Sequence, residues 1–334
     1  MLERVHLLPE LAAFESLIKA RVTRLSGFEG ERFARPTRVE RDPATGELTV
    51  LAEFITGSRL SDLLEATADA AIVPGVDVAL GYLLDTLPAL TLLHSTDGIT
   101  HGLIDASRTV LTPDGQIVFL DPVFGSAVER LGLSRQRLWT KYGIASPAGD
   151  GHVNLDTAAD IAQVALGAVA LVLGRNLRPE EYPEALPSLL MEVIEVAQIR
   201  GSAAFATGLQ RFLQRSLPLP GRRPYASADE AVGDVRQLLR RDIGVDVCRQ
   251  AVIDFATQMD AAFGTAPADD EEPTTRAPGH SPRVPELDEF LDRFGHSAED
   301  EAPATDAEPA GVAVDDDRGQ TLPLSSAATA RAVV

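Results

Sequence analysis

The sequence predicts an α+β fold: a small strand-bearing N-terminal part, then a larger and mainly helical one. Three observations predict it. The strand-like segments, at 33–40, 48–54, 109–111 and 117–120, all precede residue 121 and are joined in pairs by turn residues. From Asp156 onward the apolar residues recur with helical spacing. Beyond Gly264 the composition changes, with 16 Asp or Glu against 5 Arg in residues 265–334, a net charge of −11. Such a stretch cannot bury enough apolar surface to offset its ordering entropy, so a disordered acidic tail is expected.

In chain order, Leu11, Phe14, Leu17, Ile18, Val22 and Leu25 predict an amphipathic helix over residues 1–27, stopped by Ser26-Gly27. The first strand pair is joined by Asp42-Pro43-Ala44-Thr45-Gly46, which is turn chemistry. Thr56-Gly57-Ser58 leads into a short helix over 59–66. An apolar helix follows over 76–94, with Pro88 as its expected kink. Pro113-Asp114-Gly115 closes a β-hairpin. Asp156 or Thr157 caps a buried helix that ends near Gly174. Further helices are predicted over 183–200, 203–216, 227–240 and 244–262.

Composition narrows the function. Fifty acidic against thirty basic residues give a formal charge of −20. That balance opposes binding to nucleic acid or to an anionic membrane, both of which need a basic footprint. Cys248 is the one cysteine, so intramolecular disulfides and multi-thiolate metal sites are excluded, and a buried thiol is expected. Glu3, Arg4, His6 and Glu10 interrupt the N-terminal apolar residues, a poor match to a secretory signal. The apolar run 164–173 has the length of a core helix rather than of a membrane span. A soluble, cytoplasmic protein is expected.

The chemistry-bearing stretch runs from Leu93 to Gly125 and reads LHSTDGITHGLIDASRTVLTPDGQIVFLDPVFG. It resembles the active-site segment of a protein kinase, in which a helix ending in LHS precedes an HRD-type catalytic loop, a short hairpin and DFG. Leu93-His94-Ser95, Gly98-Ile99, His101-Gly102, Thr109-Val110-Leu111 and Val118-Phe119-Leu120-Asp121 carry the resemblance. The reactive positions depart from it. Leu103 stands where the family has its catalytic Asp, and Arg108, five residues on, where it has the metal-binding Asn. Pro122-Val123 replaces Phe-Gly after Asp121, which lies 18 residues beyond Leu103.

Other segments agree in order. The run 51–60 resembles the hinge between lobes, with Glu53, Phe54 and Ile55 as candidate nucleotide contacts and Ala52 as gatekeeper. Ser146-Pro147-Ala148 resembles the end of the activation segment, and Asp160 opens a run similar to the family's buried C-lobe helix. The resemblance implies that Asp160 braces the catalytic-loop backbone. It also implies a structural role for Arg223, whose usual glutamate partner is replaced by Ala148. Glu15 is the nearest candidate for the ion-pairing Glu of the N-lobe helix. The first three N-lobe strands are expected to be absent. Lys19 and Lys141, the only lysines, lack the setting of a nucleotide-binding lysine, and no G-x-G-x-x-G precedes either.

The resemblance thus implies a kinase-like fold with a truncated N-lobe over 1–54, a C-lobe over 55–242, a further helix over 243–264 and the tail over 265–334. It implies a pseudokinase. His101 is expected to be structural, packed beneath the DFG-like segment. Asp105 is a weak candidate for a relocated base. Asp121 is a weak metal candidate, since one carboxylate makes a poor magnesium site. An Arg108–Asp121 ion pair is expected in place of the metal, and no cofactor is expected. In the tail, Leu287, Phe290, Leu291 and Phe294 fall on one helical face, the spacing of a groove-docked peptide. The function expected is a non-catalytic binding, scaffold or regulatory module for a protein partner, such as an active kinase or another signalling protein. The alternative is nucleotide binding with residual or unconventional phosphotransferase activity.

Overall fold

Leu2–His6 is a strand, β1, where a helix had been expected. The helical spacing holds only downstream of Pro9, which opens a 3-10 turn, Pro9–Phe14, that leads into α1 (Glu15–Leu25). Glu3, Arg4 and His6 break the helical spacing, and the backbone of this stretch pairs with a strand instead. The computed structural model describes residues 2–6, 9–147, 153–200, 202–217, 219, 222–242 and 244–263. Ala148 and the tail with Leu287, Phe290, Leu291 and Phe294 lie outside the described residues.

β2 (Pro36–Arg41) and β3 (Leu48–Glu53) form the expected strand pair, and β1 joins the free edge of β3. The order is β1-β3-β2, antiparallel throughout, with Glu3 opposite Ala52 and Val5 opposite Val50. One strand therefore precedes the helix, against the expectation of none. Ile18, Val22 and Leu25 of α1 are buried with Leu48 and Val50. A short link then reaches β4 (Ser58–Arg59) and α2 (Leu60–Ala70). Only glycine fits at position 57, where φ is +150° and an added Cβ would lie 2.4 Å from the Leu111 carbonyl oxygen.

α3 (Gly75–Ser95) runs through the middle of the core, with Pro88 inside it. It is long and apolar enough to cross a membrane by length and composition, yet it packs against helices on several sides. β5 (Thr109–Leu111) and β6 (Ile117–Phe119) form the expected hairpin and, with β4, a second three-stranded sheet. Asp85 of α3 holds that hairpin, accepting from the Ile117 amide at 3.1 Å and from Arg32 Nε at 2.8 Å.

Two short helices, α4 (Gly125–Glu129) and α5 (Arg135–Tyr142), lead to α6 (Thr157–Leu173). Asp156 caps α6 by accepting from the Ala159 amide, and Gly174 ends it in the left-handed region. α7 (Leu186–Arg200), α8 (Ala203–Ser216) and α9 (Ala228–Asp242) complete the helical body around α3 and α6. α10 (Val245–Phe263) lies along α3. Their contact is close at Gly81, where a Cβ would meet the Cys248 carbonyl oxygen at 2.4 Å. Cys248 is fully buried there, and its thiol is pushed up to about 11 by desolvation.

Candidate functional site

Two polar residues one turn apart on the otherwise apolar α6 shape the loop after α3. Asp160 is wholly buried and accepts from the His101 and Gly102 amides at 2.7 and 2.6 Å and from His94 Nε2 at 2.8 Å. Gln163 accepts from the Ile104 amide and donates to the carbonyls of Gly102 and Ala145. Charge-assisted bonds to main-chain amides are the strong kind, and these fix the loop through its backbone. Gln163 had escaped notice in the sequence. Its signal is a polar residue three positions after Asp160 inside an apolar helix.

The side chains on the loop then take non-reactive posts. His101 has no exposed surface and packs against the rings of Phe33 and Phe119, with centroids 6.0 and 5.8 Å away. Burial pushes its pKa down to about 4, so it is neutral at pH 7. Leu103 is turned into the core, 2% exposed. Asp105 caps a 3-10 turn, Ala106–Arg108, with Oδ1 accepting from the Arg108 amide and from Ser107 Oγ, while Oδ2 binds Arg108 Nη1. Both oxygens of Asp105 are thus tied into the turn.

Arg108 is divided between two carboxylates. Its close partner is Asp105, and Nη1 also donates to the Tyr142 carbonyl at 3.1 Å. The expected pair with Asp121 is the longer one, Nε to Oδ2 at 3.8 Å. Asp121 has φ of +61° and a pKa raised to about 6. Desolvation is the main cause. Arg108, already balanced by Asp105, offsets only part of it, and the negative charges of Glu3 and Asp105 add to it. Glu3 stands on β1 opposite Ala52, hence on the same face of the sheet. An acidic residue is thus near enough to act on Asp121, where phosphate binding would call for a cation.

The neighbouring helix is tied to this segment. Arg21 of α1 donates through Nε to the Pro122 carbonyl at 2.9 Å, and Arg24 donates to the Asp97 carbonyl at 3.1 Å. Glu15 points elsewhere, pairing with Arg41 of β2 at 2.6 Å and Lys19 at 2.7 Å. In the link after β3, the Glu53 amide donates to the Arg35 carbonyl, Phe54 is exposed and Ile55 packs on Ala34, Val110 and Leu120. The Phe54 and Ile55 amides carry no hydrogen bond among the described residues. Arg223 is exposed; its carbonyl accepts from Arg215 Nε, and its charge helps to lower the pKa of Glu230. Arg215 makes the ion pairs of that region, with Glu230 and Asp234, and lies 4.0 Å over the Tyr225 ring. No cluster of three or more metal-ligating side chains occurs among the described residues.

Beyond the loop from α6 outward lies a half-open cavity of about 380 Å³. Asp105, Arg108, Trp139, Lys141, Leu166 and Asn176 contribute to its wall, and Asp121 does not.

No protein-family model matches the chain, and no curated protein matches it. Among solved structures it is similar to the kinase domain of maize sucrose-induced receptor kinase 1, solved with AMP-PNP bound. The TM-score is 0.54 at 15% sequence identity, over 71% of this chain and 85% of that one. The braced loop, the hairpin, Asp121 and the buried α6 thus belong to a protein-kinase-like fold.

Proposed function

We infer that this chain is a pseudokinase: a kinase-like fold that no longer transfers phosphate and serves signalling as a non-catalytic binding or scaffold module. One observation carries the reading. At the positions where the resemblance puts the metal-holding groups, Arg108 pairs with Asp105 and, at 3.8 Å, with Asp121, and Glu3 adds negative charge. Phosphoryl transfer rests on positioning and electrostatic stabilisation by Lys, Asp, Asn and Mg²⁺ acting together. Leu103 in the core removes one of these groups, and Arg108 at the second metal position repels a cation. Further support comes from Pro122, whose fixed φ and carbonyl bond to Arg21 hold the segment after Asp121 in one conformation. The partner is a protein, an active kinase or another signalling component, met in the cytoplasm by the preformed helical surface.

A second reading, nucleotide binding with residual or unconventional phosphotransfer, is favoured by the unengaged amides of Phe54 and Ile55. Thermal-shift titration of the full chain with ATP, with and without Mg²⁺ or Mn²⁺, separates the two. A ligand present at 100 times its Kd adds about 2.7 kcal/mol of stability. The expected result is no shift up to millimolar nucleotide. A metal-dependent shift would overturn the pseudokinase reading, because Asp121 would then be coordinating a cation.

A further inference from the structure

Residues 196–228 hold five Arg and no Asp or Glu, in a chain with 50 acidic residues among 334. Over α8, α9 and their link, residues 203–242, seven Arg stand against four acidic residues, a net +3 within a chain of net −20. α8 buries Phe205, Leu209, Phe212 and Leu213 and leaves Arg211 exposed. A groove of about 70 Å³ runs between the two helices, with Gly208 and Arg211 of α8 and Asp234, Gln237 and Leu238 of α9 among its lining. Small-molecule pockets begin at about 300 Å³, so a groove of this volume suits a single side chain presented by a larger partner. The lining carboxylate, Asp234, accepts from Arg215 Nη1 at 2.9 Å and from the Tyr225 hydroxyl at 2.8 Å. Glu230 accepts from the same arginine and from the Ala226 amide. The side chains of Arg211 and of Arg236, exposed beside Gln237, make no hydrogen bond or ion pair among the described residues.

We propose that the groove between α8 and α9 docks an acidic segment of a partner protein. Carboxylates of that segment meet Arg211 and Arg236, and one of its apolar side chains packs on Leu238, which is only partly buried. Charge complementarity selects this occupant: the arginines call for an anion, while the net charge of −20 opposes nucleic acid. The groove is where the partner of the scaffold role would bind, and for that role it rests on the pseudokinase reading. It shares no residue with the Asp121 segment, so the outcome of the nucleotide titration leaves it untouched.

The full-length protein would be titrated into a fluorescein-labelled amphipathic peptide of Leu and Glu, about four helical turns long, and binding read by fluorescence anisotropy. The same peptide with Gln for every Glu runs in parallel. Saturable binding is expected for the acidic peptide, weakening as salt is added, with at least about tenfold lower affinity for the Gln peptide. Arg211→Glu should weaken the acidic peptide about tenfold or more, and Arg211→Lys should keep most of the affinity. Arg137→Glu on α5 changes the net charge equally, at another exposed arginine without a described side-chain partner, and should leave the affinity unchanged. Arg211 is exposed and bonded to nothing described, so neither of its variants threatens the fold. No saturable binding, equal affinity for the two peptides, or equal losses from Arg211→Glu and Arg137→Glu would each overturn the proposal.

Discussion

Asp121 is held in a left-handed conformation, largely out of water, beside an arginine whose charge another carboxylate already balances. Its pKa, raised from 3.8 to about 6, makes the ionised form a burden on the fold. Between those values the folded state binds more protons than the unfolded one, so this group's contribution to stability falls as pH rises and is flat above about pH 6. Asn adopts the left-handed region readily and carries no charge. Asp121→Asn is therefore expected to stabilise the protein at pH 7.5 by on the order of 2 kcal/mol and to be nearly neutral at pH 4. Urea unfolding at the two pH values measures the difference. A gain that does not depend on pH would mean that the carboxylate is not desolvated. The position of Asp121 was legible in the sequence. Its environment was not, because Glu3 and Asp105 reach it only through strand pairing and loop closure.

Gly81 lets α10 approach α3 backbone to side, and α10 in turn covers Val78 and Tyr82 with Val252 and Phe255. A methyl group at position 81 would force the Cys248 carbonyl away, since its 2.4 Å separation is against backbone, not a flexible side chain. Gly81→Ala is expected to loosen α10 and leave α3 and α6 in place. Amide hydrogen exchange would show faster exchange confined to residues of α10, and unchanged rates there would refute it. The helices themselves could be read from local pattern. α8 agrees with its expected range, and Asp156 caps α6 through its own side chain. β1 could not be read in this way. Its five residues are too few and too mixed to show a period of their own, and only the free edge of β3, distant in sequence, makes them a strand. The contact of α10 with Gly81 was equally invisible, because a glycine inside a helical pattern carries no sign of what approaches it.

Asp160 connects the two most buried helices to the loop between α3 and β5. It joins His94 on α3, the His101 and Gly102 amides, and its own α6. Asp160→Ala would leave two buried amides without an acceptor and is expected to cost about 3–5 kcal/mol of global stability, read from the denaturant midpoint. A loss under 1 kcal/mol would show that water replaces the carboxylate. Resemblance to kinases had assigned this brace to Asp160. The companion role of Gln163 went unread because nothing in a linear pattern says which carbonyl a buried amide will meet. The cavity is a similar case, since α2, α5 and α6 are distant in sequence and enclose it only once packed.

The brace also divides the loop into two parts. α6 grips residues 101–104 of the loop through their amides and carbonyls, while the turn that follows is held by the side chain of Asp105. The first half of the loop is thus anchored from a neighbouring helix and the second half from within, so the two halves would come loose under different substitutions.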